Sequence, residues 1–319
     1  LPLVFSVDEP EVHLHPYLQR SLIGYYKRIL HNEDAEFVEL LKLCFGIDGI
    51  AGQLIVVTHS TDALIGDYRN LIRFYKKEDK TEVVSGYALR PIAHSTNVGR
   101  IKTEDEKHLI MHFPEIKEAF YAKCAVLVEG ETEYGCIHAF AEKVGVSLDD
   151  YGICVINARG EGSIKPLRQL LSLFAVPSVA IYDGDVQAGH TPSEEEFFTQ
   201  ELCFEIEIVK TLVSKGKTAL VRQIARNMSS NAETVELDLN FVGKYFDKMG
   251  IDRTAYTSKK LSDVDESDET EFGNMYSAWF MAKKGVLLGR IIGDMLTAEL
   301  IPECYTKALK KAQEVASNA

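Results

Sequence analysis

The sequence has no closely spaced cysteines and no long apolar runs. Its six cysteines are scattered, and no Cys-x-x-Cys pair occurs among them. This spacing argues against a zinc knuckle or a disulfide framework and favours a reducing compartment. No apolar run approaches the ~20 residues that span a membrane, and the start of the chain does not resemble a signal peptide. We therefore expect a cytoplasmic protein with no membrane partner.

Positive charge is also scarce. The 35 Lys and Arg residues are outnumbered by 48 Asp and Glu, which gives a formal net charge of −13. This balance excludes a broad electrostatic grip on nucleic acid, so a phosphate partner would need local basic groups or bridging cations. At 319 residues, an apolar share of 46% is enough to build two folded domains. Leu1 directly precedes a core-type strand, so we expect the chain to be part of a longer protein.

The first block of the chain alternates apolar strands with a helix. The run "LPLVFSVD" (residues 1–8) predicts a buried strand, and Pro16 then opens an amphipathic helix. The continuous β-branched run "QLIVVTHS" (residues 53–60) is typical of a parallel strand covered on both faces. Residues 71–89 predict two strands around a charged turn.

The second block repeats a strand, a turn and a helix. This pattern occurs at residues 124–140 and 151–176, and residues 177–185 predict a third strand. Such alternation implies right-handed crossovers and a parallel sheet, in which functional groups collect at the carboxyl ends of the strands. From about residue 192 the chain predicts mostly helix. The first helical stripe of that region would contain Phe198, Leu202, Ile206 and Val209.

Two acids end the first strand, and a histidine ends the second. Asp8 and Glu9 form the first group, and His59 in "THS" follows about fifty residues later. The arrangement resembles the back half of an ABC-type ATPase domain. By that resemblance Asp8 holds magnesium through water, Glu9 polarises the attacking water and His59 senses the γ-phosphate. The extended form "DEPEVHLHP" resembles the overcoming lysogenization defect (OLD) nucleases.

The same stretch contains His13 and His15, and an H-x-H pair can bind zinc. Without further ligands nearby, we interpret the pair as part of a turn. No G-x-x-x-x-G-K-[ST] phosphate loop and no ABC signature occur in the chain. The ATPase is therefore incomplete, and we expect neither tight ATP binding nor hydrolysis by this chain. ATP would be a cofactor only of the complete protein.

The second block has its own group of acids. Glu129 ends a predicted strand, and Glu133 lies one helical turn later, so both carboxylates can face one point. Asp183 and Asp185 are two residues apart, which on a strand would direct both to one side. Four convergent carboxylates would repel one another, so the pattern predicts bound cations.

This second half resembles a topoisomerase/primase (Toprim) domain, and the whole chain looks like the carboxyl-terminal part of an OLD-family nuclease. The resemblance implies an α/β fold with a parallel-sheet ATPase half-domain at 1–90 and a connecting segment at 91–119. A Rossmann-like Toprim nuclease domain with a helical insertion and carboxyl-terminal helices would occupy 120–319. The four acids would then ligate two Mg²⁺ or Mn²⁺ ions that act in phosphodiester hydrolysis.

Such nucleases use further downstream acids and a lysine. Glu236 and Asp238 are the preferred acids by resemblance, and Glu205 is the main rival, with Glu207 beside it. The stretch "FMAKKGVLLGRI" resembles the family's Lys-Gly motif and indicates Lys284 as the catalytic lysine. Its neighbour Lys283 is interpreted as solvent-exposed.

These patterns predict a metal-dependent DNA endonuclease, coupled to a fused ATPase, of the kind found in phage defence. Because ABC ATPases close as dimers around nucleotide, the resemblance also implies a homodimer. One alternative is a topoisomerase- or primase-like Toprim enzyme, in which a tyrosine could serve as the nucleophile. Another is an ATP-gated DNA-binding module whose acids are vestigial.

Overall fold

The chain consists of two compact units, Leu1–Arg90 and Pro91–Ala319. They are described separately below, from a computed structural model. The described residues are 1–64, 66–77, 79–92, 99–189, 193–234, 236, 237 and 239–318.

The first unit contains a parallel strand pair and a hairpin. Its elements are β1 (Pro2–Asp8), α1 (Pro16–Leu30), α2 (Ala35–Phe45), β2 (Ala51–Val57), β3 (Ile72–Lys77), β4 (Lys80–Ser85) and α3 (Gly86–Leu89). Strands β1 and β2 are parallel, with Asp8 opposite Val57, and β3 and β4 are antiparallel. Pro16 can begin α1 because a helix leaves its first N–H groups unbonded in any case. Asp34 caps α2 by accepting the N–H of Phe37 at 3.0 Å.

The two parallel strands of this unit are not covered on both faces. Val4 is 61% exposed and Ile55 is 49% exposed, although both belong to apolar runs typical of buried parallel strands. The prediction that β2 is covered on both faces is therefore wrong for the described residues of this unit.

The second unit is built on a parallel sheet. Its first elements are α4 (Thr103–Ile116), β5 (Cys124–Val128), α5 (Glu131–Lys143), β6 (Ile153–Asn157), α6 (Glu161–Leu173), β7 (Ser178–Tyr182) and β8 (Glu196–Phe198). The strand order is β6-β5-β7-β8, and every pairing is parallel. The predicted α/β class with a parallel sheet is confirmed. Helix α4, in the stretch predicted to be a connecting segment, packs against α6.

Strand β8 replaces the start of the predicted helical region. Phe198 ends this strand, and its ring stacks on that of Tyr182 with centroids 5.3 Å apart. Helix α7 begins only at Phe204, so Phe198 and Leu202 do not share a helical stripe with Ile206. A strand of three residues is too short to show a period of two in the sequence, and the helical reading of residues 196–202 is wrong.

Helices form the rest of the second unit. They are α7 (Phe204–Ser214), α8 (Thr218–Met228), α9 (Leu239–Lys248), α10 (Glu269–Ala282), α11 (Val286–Met295) and α12 (Glu303–Ser317). Tyr305 of α12 is buried, and its ring centroid lies 5.8 Å from that of Phe140 and 5.2 Å from that of Phe204. These contacts join α12 to α5 and α7 beside the sheet. Within the described residues, no helix has the length and apolarity needed to cross a membrane.

Helices α5 and α11 pack so closely that glycine is required between them. A Cβ atom on Gly289 would lie 1.9 Å from the carbonyl oxygen of Thr132, and one on Gly135 would lie 2.4 Å from that of Val286. Backbone atoms cannot rotate away as a side chain can. This packing holds the start of α11 against the first turn of α5.

We expect Gly289→Ala to lower the free energy of unfolding by about 1–3 kcal/mol or more, because the added methyl group forces the two helices apart. Gly162→Ala is the matched control, since Gly162 is an exposed residue of α6 with no atom within 4 Å of an added Cβ. The control should be neutral or slightly stabilising. Denaturant unfolding followed by circular dichroism measures both, and equal stability of the two variants would contradict this account of the α5–α11 contact.

Candidate functional site

Two acids lie at the carboxyl ends of adjacent central strands. Glu129 directly follows β5, and Asp183 directly follows β7. The Oε2 atom of Glu129 accepts the backbone N–H of Asp183 at 3.2 Å. The Oδ1 atom of Asp183 in turn accepts the backbone N–H of Phe204, at the start of α7, at 3.1 Å. Both carboxylates are therefore held by the strand ends and by the helix that packs over them.

Helices bring two more acids and a lysine to the same edge of the sheet. Glu133 lies in the first turn of α5, and Glu205 is the second residue of α7. The Nζ atom of Lys284, between α10 and α11, lies 2.8 Å from Oε2 of Glu205. An open cavity of about 540 Å³ connects these groups. Its lining residues are Glu129, Gly130, Glu131, Thr132, Glu133, Arg159, Gly160, Asp183, Glu205, Lys284 and Gly285.

Burial and mutual repulsion perturb the charges of this cluster. Burial, reinforced by the charges of Glu133 and Glu129, raises the pKa of Asp183 to about 9. Burial and the charge of Glu205 raise the pKa of Glu133 to about 7. Burial likewise raises the pKa of Glu129. Burial alone would lower the pKa of Lys284, but the neighbouring negative charges, Glu205 first, raise it. Burial and the mutual repulsion of the acids therefore both favour the protonated carboxyls in the absence of a bound cation.

Asp185 lies apart from the cavity lining. It belongs to the 3₁₀ segment Gly184–Gly189, and its Oδ2 atom lies 2.7 Å from Nζ of Lys248 in α9. Because β7 ends at Tyr182, the alternation of a strand does not continue through Asp183 and Asp185. The expectation that both side chains point to one side of a strand does not hold here.

The downstream acids are also separated by the structure. Glu205 lines the cavity and is 1% exposed. Glu207 is buried as well, but its Oε2 atom accepts the N–H of Glu201 at 2.8 Å. Glu236 is exposed, and its backbone forms an isolated bridge with Lys260. Asp238 lies outside the described residues. The cavity therefore favours Glu205 over Glu236, the reverse of the sequence-based preference.

Some lining residues were not singled out in the sequence. The hydroxyl oxygen of Thr132 accepts the backbone N–H of Gly285 at 3.0 Å, and Gly285 has a φ of 143°. This bond ties the Lys284–Gly285 turn to the first turn of α5. Lys283, which the sequence predicted to be solvent-exposed, directly follows α10, is exposed and does not line the cavity. Arg159 follows β6 at a φ of 54°. Its position in "NARGEG", next to a predicted strand end, is the signal that could have identified it.

In the part of the chain that the structure describes, no three His, Cys, Asp or Glu side chains already stand where one metal ion could be held. The acids lie at one edge of the sheet and line one cavity, but their carboxylate oxygens do not converge on one point.

The pKa of Asp183 has a consequence for stability. Its folded value of about 9 lies above the ordinary value of 3.8, so the folded state holds the proton more tightly. The contribution of this bound proton to the free energy of unfolding is therefore fully present below about pH 4 and is lost as the pH rises toward 9. Asp183→Asn keeps the acceptor for the Phe204 N–H and removes this titration. We expect Asp183→Asn to be increasingly more stable than wild type from pH 5 to pH 8 in EDTA, as measured by thermal melting. A pH-independent difference would contradict the burial of this charge.

The first unit has a separate group of polar residues at the ends of β1 and β2. Asp8 ends β1, and Glu9, at a φ of 43°, donates its N–H to the carbonyl of Val57 at 2.8 Å. The Nε2 atom of His59 lies 3.6 Å from Oε1 of Glu9. The structure therefore brings Asp8, Glu9 and His59 to one edge of this strand pair. His15 immediately precedes α1 and His13 lies in the turn before it.

Glu11 is a further member of this group. Its Oε1 atom accepts hydrogen bonds from the hydroxyl of Thr58 and, at 3.1 Å, from the backbone N–H of His59. Burial raises the pKa of this carboxyl, but these hydrogen bonds outweigh burial and hold the pKa below its ordinary value. Glu11 thereby fixes the backbone that carries His59.

Comparison with known proteins gives a family match over part of the second unit. Residues 120–185 match the family described as "Overcoming lysogenization defect protein-like, TOPRIM domain". Over 185 residues the chain is 24% identical to the Old nuclease of Escherichia phage P2 and 26% identical to the uncharacterized protein YbjD of Escherichia coli K12. Each alignment covers 57% of this chain and 28% of the relative. The predicted resemblance to the OLD family is confirmed for this Toprim region, and the chain spans less than a third of the length of these relatives.

Solved structures give matches of the same kind. The carboxyl-terminal region of the Burkholderia pseudomallei OLD protein is 17% identical, with a TM-score of 0.38, and the match covers 61% of this chain and 98% of that one. The corresponding region of the Xanthomonas campestris pv. campestris OLD protein is 16% identical, with a TM-score of 0.40, and the match covers 63% of this chain and 97% of that one.

Proposed function

Taking residues 120–185 as an OLD-like Toprim domain, we propose that the second unit is a metal-dependent DNA endonuclease that nicks or hydrolyses phosphodiester bonds. One observation carries the proposal. Glu129, Glu133, Asp183 and Glu205 line a single cavity with Lys284 at the carboxyl edge of a parallel sheet. Functional sites of parallel α/β sheets form at this carboxyl edge. The substrate of a nuclease at this site would be DNA.

The donor set of the cavity fits a divalent cation. Its acids supply only oxygen ligands, which Mg²⁺ and Mn²⁺ prefer. Burial first, and then repulsion between the acids, raises the pKa values of Asp183 and Glu133, and a bound cation would offset that repulsion. In our proposal Glu129, Glu133, Asp183 and Glu205 hold the metal ions, and Asp185 joins them only if it leaves Lys248. Bound metal would supply a polarised water and charge stabilisation at the leaving oxygen.

The protein's own groups have distinct proposed roles. Backbone N–H groups donate hydrogen bonds to the carboxylates of Glu129 and Asp183 and hold them in place. The two acids would therefore orient the groups around the scissile phosphate with little further loss of side-chain conformational entropy. Lys284 would place an ammonium beside the phosphoryl oxygens, where negative charge grows in the transition state. Thr132 would position Lys284 by fixing the backbone of Gly285. The open side of the cavity would admit the DNA strand.

The wider context of the activity follows from the resemblance to OLD proteins. We propose that Asp8, Glu9 and His59 belong to an ATPase site that is completed in a longer protein and that regulates cleavage there. A homodimer, a role in phage defence and a cytoplasmic location are part of the same proposal. The free cysteines agree with a reducing compartment, since the described thiols form no disulfide.

A plasmid assay tests the nuclease proposal. Supercoiled plasmid should be converted to nicked or linear DNA with Mg²⁺ or Mn²⁺, and EDTA should prevent the conversion. The same reactions, quenched with detergent, should contain no protein attached to DNA. A covalent protein–DNA product would instead identify a topoisomerase-like reaction. Intact plasmid with both metals, at protein concentrations that bind DNA, would refute the endonuclease and leave a binding module.

A further inference from the structure

We infer that Arg159 is a phosphate-binding residue of the site and that Glu115 occupies its guanidinium when no DNA is bound. The inference rests on the proposed function, because its ligand is the phosphate backbone of DNA. Arg159 lines the same cavity as the acids, and its side chain is 62% exposed. It can therefore contact both the cavity and a large ligand outside it.

The backbone around Arg159 is fixed in an uncommon conformation. Arg159 has a φ of 54°, in the left-handed region, and Gly160 has a φ of 123°. The N–H of Arg159 donates to Oδ1 of Asn157 at 2.9 Å, and the N–H of Gly160 donates to the carbonyl of Glu129 at 2.8 Å. The turn that carries Arg159 is thus bonded to the residue that provides a central acid of the site. Because these hydrogen bonds hold the backbone of Arg159 in the left-handed region, its side chain extends from a rigid main chain.

The cavity is lined by several acids and few cations, and Arg159 is one of those cations. Among the described residues that line it, Lys284 and Arg159 carry the positive charges. Lys284 lies deeper and also pairs with the buried carboxylate of Glu205, with its Nζ atom 2.8 Å from Oε2. Arg159 is the more exposed of the two cations. An acidic protein of net charge −13 repels DNA, so a guanidinium at the mouth of the cavity would attract and orient the phosphate there.

Glu115 provides the counter-charge for Arg159. Its Oε1 atom lies 2.8 Å from Nη2 of Arg159, and its side chain is 34% exposed. Glu115 belongs to α4, which packs against α6 and contains buried Phe113 and Ile116. The Nδ1 atom of His108 in α4 lies 3.2 Å from Oγ of Ser163 in α6. A half-exposed ion pair with one short contact is weak enough to exchange for a phosphate, which can accept two N–H groups of a guanidinium at once.

The test measures binding and needs no cleavage. Fluorescence anisotropy of a short labelled duplex with Mg²⁺ would be recorded in the Asp183→Asn background over a range of salt concentrations. Adding Arg159→Gln should weaken binding by about tenfold and lower the slope of log affinity against log salt by about 1. Arg159→Lys should keep the salt slope but recover only part of the affinity. Lys165→Gln is the control, because it removes one exposed positive charge from α6 outside this cavity.

Glu115 supplies the second half of the test. Glu115→Gln should strengthen binding by about two- to fivefold, because binding no longer breaks an ion pair. It should have no such effect when Arg159 is already Gln. Glu104→Gln removes the same charge from an exposed position of α4 and controls for the change in net charge. An equal gain from Glu104→Gln would overturn the competition between Glu115 and phosphate.

The outcomes separate this inference from the nuclease proposal. Unchanged affinity and salt slope in Arg159→Gln, in a protein whose wild type cuts plasmid, would overturn the role of Arg159 and leave the nuclease standing. An Arg159-dependent salt slope, in a protein whose wild type never cuts plasmid, would support the phosphate contact and refute the nuclease. Melting temperatures equal to those of the parent protein exclude unfolding as the cause of a loss.

Discussion

Asp183→Asn should abolish metal-dependent nicking of supercoiled plasmid, leaving no product above the background in EDTA. The substitution keeps the size of the side chain and the oxygen that accepts the N–H of Phe204. It removes the negative charge that a divalent cation needs at the centre of the cluster. Burial raises the pKa of Asp183 in the absence of metal, so we expect metal binding to compete with a proton at this carboxyl. We therefore expect weaker Mn²⁺ binding, measured by calorimetry, together with the loss of cleavage.

Asp150→Asn is the control for this experiment. Asp150 is an exposed acid of the same unit, so its removal changes the net charge by the same amount without touching the cavity. It should cut at the wild-type rate. Glu129→Gln should behave like Asp183→Asn, because Glu129 holds the backbone of Asp183 and lines the cavity. Wild-type nicking by Asp183→Asn would refute the metal site, whatever the result for Glu129.

Lys284→Ala should lower the cleavage rate by roughly a hundredfold or more, as the loss of one oriented transition-state donor typically does. The ammonium is placed for this by the short Lys284–Gly285 turn, which Thr132 ties to α5. Single-turnover cleavage at saturating Mg²⁺ measures the chemical step. Lys283→Ala should cut normally, because Lys283 is exposed and does not line the cavity. Loss of activity in Lys283→Ala alone would mean that the neighbouring lysine is the catalytic one.

Lys284→Ala also leaves the buried carboxylate of Glu205 without its ion-pair partner, which destabilises the fold. A second variant separates this effect from catalysis. Adding Glu205→Gln removes the unpaired charge and should restore much of the stability but not the cleavage rate. Because Glu205 is also a proposed metal ligand, the single variant Glu205→Gln is the control for the cleavage that its own loss removes. Recovery of cleavage in the double variant would show that Lys284 serves only to neutralise Glu205. Another group would then have to meet the charge of the transition state, and Arg159, the other cation that lines the cavity, is the next residue to test.

Much of the second unit's sheet could be predicted from the sequence. The runs that became β5, β6 and β7 are apolar, and each is followed by a turn and an amphipathic helix, so local patterning and the handedness of crossovers determine a parallel sheet. The positions of Glu129 and Asp183 follow from that sheet, because the carboxyl ends of parallel strands share one edge. The short strand β8 could not be predicted, since its three residues gain their pairing only from β7.

The sequence alone determined most of the strand and helix pattern apart from β8, the Toprim resemblance and three acids of the cavity, Glu129, Glu133 and Asp183. The tertiary structure alone decided which distant groups join them. Glu205 and Lys284 meet because α7 and the α10–α11 turn pack at the same edge. Asp185 lies in a 3₁₀ segment, pairs with Lys248 and does not line the cavity. Periodicity describes which residues of one element share a face. It carries no information on which elements meet, because that depends on packing across the whole unit.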